Sequence, residues 1–187
     1  MKKNKQIIIG LTGQISSGKG EIAKYAVKKY KASAHRYSTM LRDVLNRLYI
    51  NISRENLCAL SEFIRKNYGE DTMAKVIIQD IKKDKHKVII IDGIRRLMDI
   101  KYLRPMKNFK LIKVVVDPEI RYERLKKRNE NKGDNKKTFK QFLADQKKEA
   151  ESQVLAVMKK ADIEITNNGT WEEFYAQIEA VMKKLIK

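Results

Sequence analysis

The sequence predicts an α/β fold with three layers, in which helices cover both faces of a five-stranded parallel sheet. Two observations support this prediction. Short apolar runs rich in β-branched residues alternate along the chain with segments whose apolar residues recur at helical spacing. The 187 residues, 42% of them hydrophobic, suffice for one such domain but not comfortably for a second. We therefore expect a single domain over residues 1–187.

Five apolar runs are the expected strands. They cover residues 5–11, 32–37, 86–92, 109–117 and 163–166. The run at 86–92 is apolar on both faces, which is typical of a central strand in a parallel sheet. Parallel strands joined by right-handed crossovers bind ligands beyond their carboxyl ends, so candidate site residues are sought there.

Helices are expected between these strands. The predicted segments are 21–30, 39–49, 55–66, 72–82 and 118–128, with further helices after residues 138 and 170. Ser53, Thr138 and Thr170 have the residue types and positions of N-caps. On the terminal helix, Trp171 and Phe174 are expected to begin a buried apolar stripe.

Composition restricts the class of protein. The formal net charge of +19 attracts polyanions. However, the Lys and Arg residues are dispersed along helices without interleaved aromatics, a pattern that fits solvated faces better than a nucleic-acid surface. No apolar stretch approaches the roughly 20 residues that cross a bilayer. The single cysteine, Cys58, is expected to be a buried thiol in a reducing compartment, so we expect a cytoplasmic protein without a membrane partner. His35 and His86 are too isolated for a metal site.

A glycine-rich loop with the pattern G-x4-G-K lies between the first predicted strand and the first predicted helix. Glycine permits positive φ and close backbone approach, and consecutive N–H groups at a helix start bind phosphate oxygens. Lys19 supplies a cation for the β- and γ-phosphates of ATP. The expected ATP-binding residues are Gly13, Gln14, Ile15, Ser16, Ser17, Gly18, Lys19, Gly20 and Glu21. Gly20 stands where a Ser or Thr usually ligates Mg2+, so the sequence leaves open how the metal is held.

Residues 37–42 (Y-S-T-M-L-R) resemble the acceptor-binding segment of adenylate kinases and related nucleoside monophosphate kinases, although the segment is one residue shorter here. The resemblance covers nearly the full chain. It implies that Ser38 and Thr39 belong to the acceptor-binding site, with Thr39 near the acceptor base, and that Arg42 binds the acceptor phosphate. The alternative is an ordinary helix start with Ser38 as N-cap and an exposed arginine.

Residues 91–96 (I-D-G-I-R-R) resemble the D-G-F-P-R segment of the same kinases. The resemblance implies that Asp92 holds Mg2+ through water or orients the acceptor, and that an arginine grips the acceptor phosphate. Strict spacing selects Arg96, whereas the D-G-I-R form of deoxynucleotide and archaeal relatives selects Arg95, which we slightly favour. The structural alternative is a strand-terminal turn with two solvent-exposed arginines.

Residues 117–128 resemble the helix that enters the lid of these kinases. Arg124 and Arg128 are four residues apart and share a helix face. The resemblance implies that one stacks on adenine and the other reaches the transferred phosphate, with a lid at about 124–138 and an acceptor-binding helical region at about 38–84. An ordinary basic helix is the alternative, and Arg121 could be a surface charge. Residues 167–170 occupy the place of the adenine loop, or form only a turn and a cap.

The resemblance implies a P-loop kinase fold and an ATP- and Mg2+-dependent nucleoside monophosphate kinase with a small-molecule nucleotide acceptor. Lys19, Asp92, Arg95, Arg124 and Arg128 would be its catalytic residues. The sequence leaves monomer and homodimer open. A dephospho-coenzyme A kinase is the second hypothesis, because residues 10–13 (G-L-T-G) open similarly, although the acidic segment expected after the first helix is missing. An RNA-associated nucleotide-binding protein with weak ATPase activity is the third, since the charge permits it.

Overall fold

The computed structural model describes residues 6–128, 137–146 and 149–186. Its elements follow in chain order: β1 (Ile7–Thr12), α1 (Lys19–Tyr30), β2 (Ser33–Arg36), α2 (Tyr37–Arg47), α3 (Arg54–Tyr68), α4 (Thr72–Lys83), β3 (Val88–Ile94), a 3-10 turn (Leu97–Ile100), β4 (Phe109–Val115), α5 (Pro118–Arg128), α6 (Phe139–Asp145), α7 (Glu149–Met158), β5 (Ile163–Thr166) and α8 (Trp171–Leu185).

The strands form one parallel sheet in the order β2-β3-β1-β4-β5. The predicted five-stranded parallel sheet is therefore confirmed. β1 is the central strand, and β3, which the sequence pattern placed at the centre, is the interior strand beside it. Arg36 at the end of β2 is in register with Asp92 of β3, and Thr12 at the end of β1 pairs with Ile94. The carboxyl ends of these three strands consequently meet at one edge of the sheet.

Helices cover both faces of the sheet, which confirms the three-layer architecture. Alternate residues of each strand point to opposite faces, so each face builds its own core. On one face, α1 and α8 pack through Ile22, Ala26, Phe174, Ile178 and Met182. On the opposite face, α2, α4 and α7 pack through Leu41, Met73, Ile77, Ile81 and Val157.

Local capping signals define several helix starts. The side chains of Ser53, Thr138 and Thr170 accept hydrogen bonds from backbone N–H groups in the first turn of α3, α6 and α8, as predicted. α2 begins at Tyr37, two residues before its predicted start, and Ser38 lies inside the helix instead of capping it. The alternative interpretation of Ser38 as an N-cap is therefore wrong.

Two burial predictions are wrong. Cys58 is exposed because the inward face of α3 is formed by Leu57, Leu60 and Ile64, and Cys58 lies about 100° around the helix axis from Leu57. Trp171 is 50% exposed because it stands in the first turn of α8, where its ring contacts its helix neighbours Phe174 and Tyr175 and lies outside the sheet-facing core.

His35 and His86 meet at one carboxylate instead of standing apart. Nε2 of His35 lies 2.6 Å from one oxygen of Asp84, and Nδ1 of His86 lies 2.7 Å from the other. Within residues 6–128, 137–146 and 149–186, no group of three or more His, Cys, Asp or Glu side chains suits a metal ion. In the same residues, no helix is both long and apolar enough to cross a membrane.

Candidate functional site

The glycine-rich loop between β1 and α1 has the backbone that its sequence predicts. Gly18 adopts a left-handed conformation with φ of 96° immediately before α1. A Cβ atom at Gly18 would clash with the side-chain amide of Asn167, and one at Gly13 would lie 2.7 Å from the carbonyl oxygen of Val114. Both glycines are therefore required by the close approach of neighbouring groups as well as by φ.

The amine of Lys19 lies across this loop. It donates hydrogen bonds to the backbone carbonyl oxygens of Gly13 and Gln14 (the latter at 2.9 Å), and to the hydroxyl of Ser17 at 3.2 Å. Ser16 is buried, and its Oγ atom has no hydrogen-bond partner within the described part of the chain. A cation surrounded by loop oxygens, beside a buried hydroxyl without a partner, suits the oxygens of a polyphosphate.

Gly20 differs from the other loop glycines. A Cβ atom at this position would meet no atom within 4 Å, so packing does not require glycine here. The neighbouring Glu21 forms an ion pair with Lys24 at 2.7 Å. Ser17 carries a hydroxyl and Asp92 a carboxylate, and oxygen donors of this kind suit Mg2+. Since Mg2+ usually keeps several waters and phosphate oxygens, this sparse donor set fits it.

Asp92 lies at the carboxyl end of β3, next to the loop strand β1. Its side chain is 16% exposed, and its Oδ2 atom lies 3.7 Å from Nε of Arg36. Sequence reasoning missed Arg36, because only the register between β2 and β3 brings the two residues side by side. The site thus contains a carboxylate and a cation on adjacent strand ends.

Arg95 and Arg96 project from the turn that follows β3. Their backbone N–H groups both donate to Oδ2 of Asp99, at 2.9 Å each. Arg95 is exposed, whereas the Arg96 side chain is 23% exposed and its Nη1 atom lies 4.0 Å from a carboxylate oxygen of Glu70. Asp99 therefore anchors the turn, and the Arg96 side chain lies near a carboxylate, whereas the Arg95 side chain is exposed.

Ser38, Thr39 and Arg42 lie in the first two turns of α2, directly after the end of β2. Thr39 is exposed, Arg42 is half-buried, and the Oγ atom of Ser38 is buried without a hydrogen-bond partner in the described residues. The buried Tyr37 donates its hydroxyl to the backbone carbonyl of Asp99 at 2.6 Å, and burial raises the pKa of this phenol. This bond connects the start of α2 to the turn after β3 that carries Arg95 and Arg96, here called the arginine turn.

Arg124 lies on the other side of the loop, on α5. Its guanidinium donates to Oδ1 of Asn167 at 3.3 Å and sits 5.8 Å from the ring centroid of Trp171. The buried Asn167 donates to the backbone carbonyl of Ser17 at 3.0 Å. Burial lowers the pKa of Arg124. The structure therefore brings Arg124 and the start of the 167–170 segment together beside the glycine-rich loop.

Arg121 is not a surface charge: it is 1% exposed. Its Nε atom donates to the carbonyl of Val116 at 3.1 Å, and its Nη2 atom donates to Oε1 of Gln146 at 2.8 Å. The same Gln146 oxygen accepts a hydrogen bond from Gln14 at 2.9 Å. This arrangement connects the end of α6 to the glycine-rich loop. The burial of Arg121 could have been predicted from its spacing to the apolar Leu125, which is buried one helical turn further along the same face.

The expected lid is described only in part. The side chain of Arg128 and residues 129–136 lie outside the part of the chain that the structure describes. The remaining predicted residues form three groups: the glycine-rich loop, the group at the carboxyl ends of β2 and β3 around Asp92, and the group on α5 around Arg124.

Comparison with known proteins identifies the family. A family model described as an AAA domain matches residues 9–153. The UPF0200 protein of Pyrococcus abyssi is 31% identical over 185 residues, which covers 96% of this chain and 97% of the relative. The UPF0200 protein of Sulfurisphaera tokodaii is 32% identical over 181 residues, with 96% and 97% covered. The chain belongs to the UPF0200 family.

Solved structures similar to this UPF0200 chain include P-loop kinases. The shikimate kinase from Bacteroides thetaiotaomicron superimposes with a TM-score of 0.64 at 13% identity, covering 96% of this chain and 98% of the other. TT1252 from Thermus thermophilus gives a TM-score of 0.60 at 16% identity, with 97% and 98% covered. At such identities the likeness shows the fold alone. The UPF0200 chain has the P-loop kinase fold.

Proposed function

We propose that the chain is an ATP- and Mg2+-dependent kinase that phosphorylates a nucleoside monophosphate to the diphosphate. One observation supports the proposal: two groups of residues suited to bind anions lie side by side at the carboxyl edge of the sheet. The loop with Lys19 follows β1, and Asp92 with its neighbouring arginines follows β3. A kinase for a phosphorylated acceptor needs one site for the phosphates of ATP and a second site for the phosphate of the acceptor.

The proposed chemistry depends on alignment and charge neutralisation. Phosphoryl transfer needs little covalent help from a protein, so the groups that matter neutralise charge and orient the reactants. Lys19, whose amine lies across the loop, would contact the β- and γ-phosphates. Arg124 would act at the donor side, with Arg128 one turn further along α5. Asp92 would hold Mg2+ through water, and the bound metal would supply Lewis-acid neutralisation of the phosphate charge.

The acceptor side is assigned to α2 and the arginine turn. Ser38 and Thr39 would face the acceptor base, and Arg42 with Arg95 would bind its phosphate. Arg95 is preferred as the primary ligand because it is exposed beyond the strand end. Arg96 lies near the carboxylate of Glu70 and would become a second ligand when the phosphate displaces that carboxylate. The helical region at 38–84 would then hold the acceptor, and the segment at 124–138 would serve as the lid. The enzyme would act in the cytoplasm as a monomer or homodimer.

A product assay tests this function. The purified chain, ATP-Mg and each ribo- and deoxynucleoside monophosphate are incubated, and products are identified by mass. We expect a diphosphate from at least one acceptor. Lys19→Ala should lower kcat by about 100-fold or more, because a charge that stabilises the transition state is removed. Lys28→Ala, an exposed lysine on the same helix, is the matched control.

Two results would redirect the assignment. A phosphorylated product from dephospho-coenzyme A alone would favour the second hypothesis, and no diphosphate from any monophosphate would reject the proposal. ATP binding can be followed separately, because Trp171 is the single tryptophan and lies 5.8 Å from Arg124 at the donor side. A change in its fluorescence on adding ATP reports binding without turnover.

A further inference from the structure

A buried carboxylate connects the arginine turn to the helical region. Asp99 is 2% exposed, and its Oδ2 atom accepts the backbone N–H groups of Arg95 and Arg96 at 2.9 Å each. Its Oδ1 atom accepts a hydrogen bond from Nη2 of Arg65 on α3 at 3.0 Å. Tyr37, at the start of α2, donates to the backbone carbonyl of the same residue at 2.6 Å. Three elements, α2, α3 and the arginine turn, therefore make contact with one aspartate at the proposed acceptor side.

Arg65 is an unusual anchor for a helix. It is 6% exposed and is the one buried residue of α3, whose apolar residues Leu57, Leu60 and Ile64 are only partly buried. Its Nη1 atom also donates to the backbone carbonyl of Glu70 at 2.7 Å. α3 is thus held to the arginine turn by a charged contact at a place where helices usually bury an apolar side chain.

Stability alone gives little reason for this contact. A buried ion pair must recover the large cost of removing two charges from water, and apolar side chains of similar size often serve stability as well or better. The hydrogen bonds to Arg95 and Arg96 do something that apolar packing cannot do. They fix the direction of two consecutive backbone N–H groups and so the points from which both arginine side chains leave the turn.

We propose that Asp99 and Arg65 are positioning residues that hold the arginine turn ready for an anionic acceptor, and that Glu70 competes with that acceptor for Arg96. This inference rests on the proposed function. Glu70 is 58% exposed, and its carboxylate lies 3.8 Å from Arg65 and 4.0 Å from Arg96. An incoming phosphate meets the same arginine and displaces this weak, solvent-exposed partner.

The first experiment separates acceptor binding from donor binding. In Asp99→Asn, the neutral amide keeps the shape but weakens the bonds to Arg65 and to the turn. We expect the KM for the monophosphate to rise about ten-fold or more, while the KM for ATP and the Trp171 response to ATP stay unchanged. Asp162→Asn is the matched control, because Asp162 also accepts a backbone N–H, from Leu111 at 2.7 Å, and pairs with Arg104 at 2.8 Å, far from the proposed acceptor side.

A double variant keeps the test decisive if Asp99→Asn does not fold. Asp99→Leu with Arg65→Met replaces the pair by apolar side chains and removes the bonds to the turn without leaving a lone buried charge. A folded double variant with a raised acceptor KM and an unchanged ATP response supports the inference. A folded variant with the wild-type acceptor KM overturns it.

Removal of the Glu70 carboxylate should change the acceptor KM in the opposite direction. Glu70→Gln removes the carboxylate near Arg96 and leaves the backbone carbonyl that Arg65 uses. We expect the acceptor KM to fall about two-fold to five-fold with no change for ATP. An unchanged or higher acceptor KM overturns the role of Glu70. Failure of the proposed function is distinguishable, because the wild-type chain would then form no diphosphate from any monophosphate.

Discussion

Gly18 and Gly20 are two residues apart, yet the structure requires only the first to be glycine. Gly18 has a φ of 96° and its missing Cβ leaves room for Asn167, whereas a Cβ at Gly20 meets nothing within 4 Å. Gly20→Ala should raise the free energy of unfolding by about 0.5–1 kcal/mol, because alanine restricts the unfolded chain and favours helix. Gly18→Ala should lower it by more than that amount. Urea denaturation measures both changes.

Gly20→Ala also tests how phosphates approach the loop. Gly20→Ala should keep the Trp171 fluorescence response to ATP, since the added methyl group points into open space. A folded Gly20→Ala chain that no longer binds ATP would contradict this expectation. It would mean that the bound phosphate, and not the protein, requires glycine at this position.

Single residues also mark the limit of prediction from sequence. The loop glycines, Lys19 and the cap Thr170 were predictable because their roles depend on neighbours within a few positions. Arg36 and Asp99 were not, since Arg36 meets Asp92 through strand register and Asp99 meets Arg65 across 34 positions. Long-range polar contacts leave no periodic signal in the sequence.

Secondary-structure elements show the same contrast between local signals, which are predictable, and long-range contacts, which are not. All five strands and the helices on both faces of the sheet were predicted, because continuous apolar runs and helical periodicity are local signals. On α3, the predicted burial of Cys58 was wrong, because the inward face of the helix is formed by Leu57, Leu60 and Ile64. The buried Arg65 was not predicted, since hydrophobicity alone cannot indicate its charged contact with Asp99.

The attachment of α8 to α1 should be sensitive to acid. Glu179 on α8 accepts hydrogen bonds from Tyr25 at 2.5 Å and Tyr30 at 2.9 Å, and pairs with Lys29 at 2.9 Å. The bond from Tyr25, followed by that from Lys29, lowers the pKa of Glu179 from 4.5 to about 2. A lowered pKa in the folded state means that the stabilisation is present above the unfolded pKa and is lost as pH falls through the folded one.

The resulting prediction concerns the acid limb of stability. Between about pH 5 and pH 2, the wild-type urea midpoint should fall, and Glu179→Gln should reduce the steepness of that fall, because the variant has no carboxylate to protonate. Glu164→Gln, which removes an exposed carboxylate paired with Lys113, is the control. Equal slopes for wild type and Glu179→Gln would show that this contact does not link α8 to pH.

Charge acts on the whole molecule. With 42 Lys and Arg residues against 23 Asp and Glu, repulsion between like charges opposes the compact state. Raising NaCl from about 50 mM to about 0.5 M shortens the screening length to a few ångströms and should therefore raise the urea midpoint. A midpoint that falls with salt would mean that the surface ion pairs contribute more than the net repulsion.

The same charge distinguishes a nucleotide kinase from an RNA-associated protein. Dispersed cations should bind RNA without specificity, and the affinity should fall steeply over this salt range as counterions are no longer released into a dilute solution. The affinity for ATP should fall less with salt, because phosphate binding at the loop depends on backbone N–H groups and the start of a helix as well as on the charge of Lys19. Diphosphate formation should be unaffected by RNA at about 0.2 M salt, measured with and without a mixed-sequence RNA. Turnover of ATP that rises with RNA and persists at that salt would favour the RNA-associated function, since dispersed electrostatic attraction is then too weak to account for it.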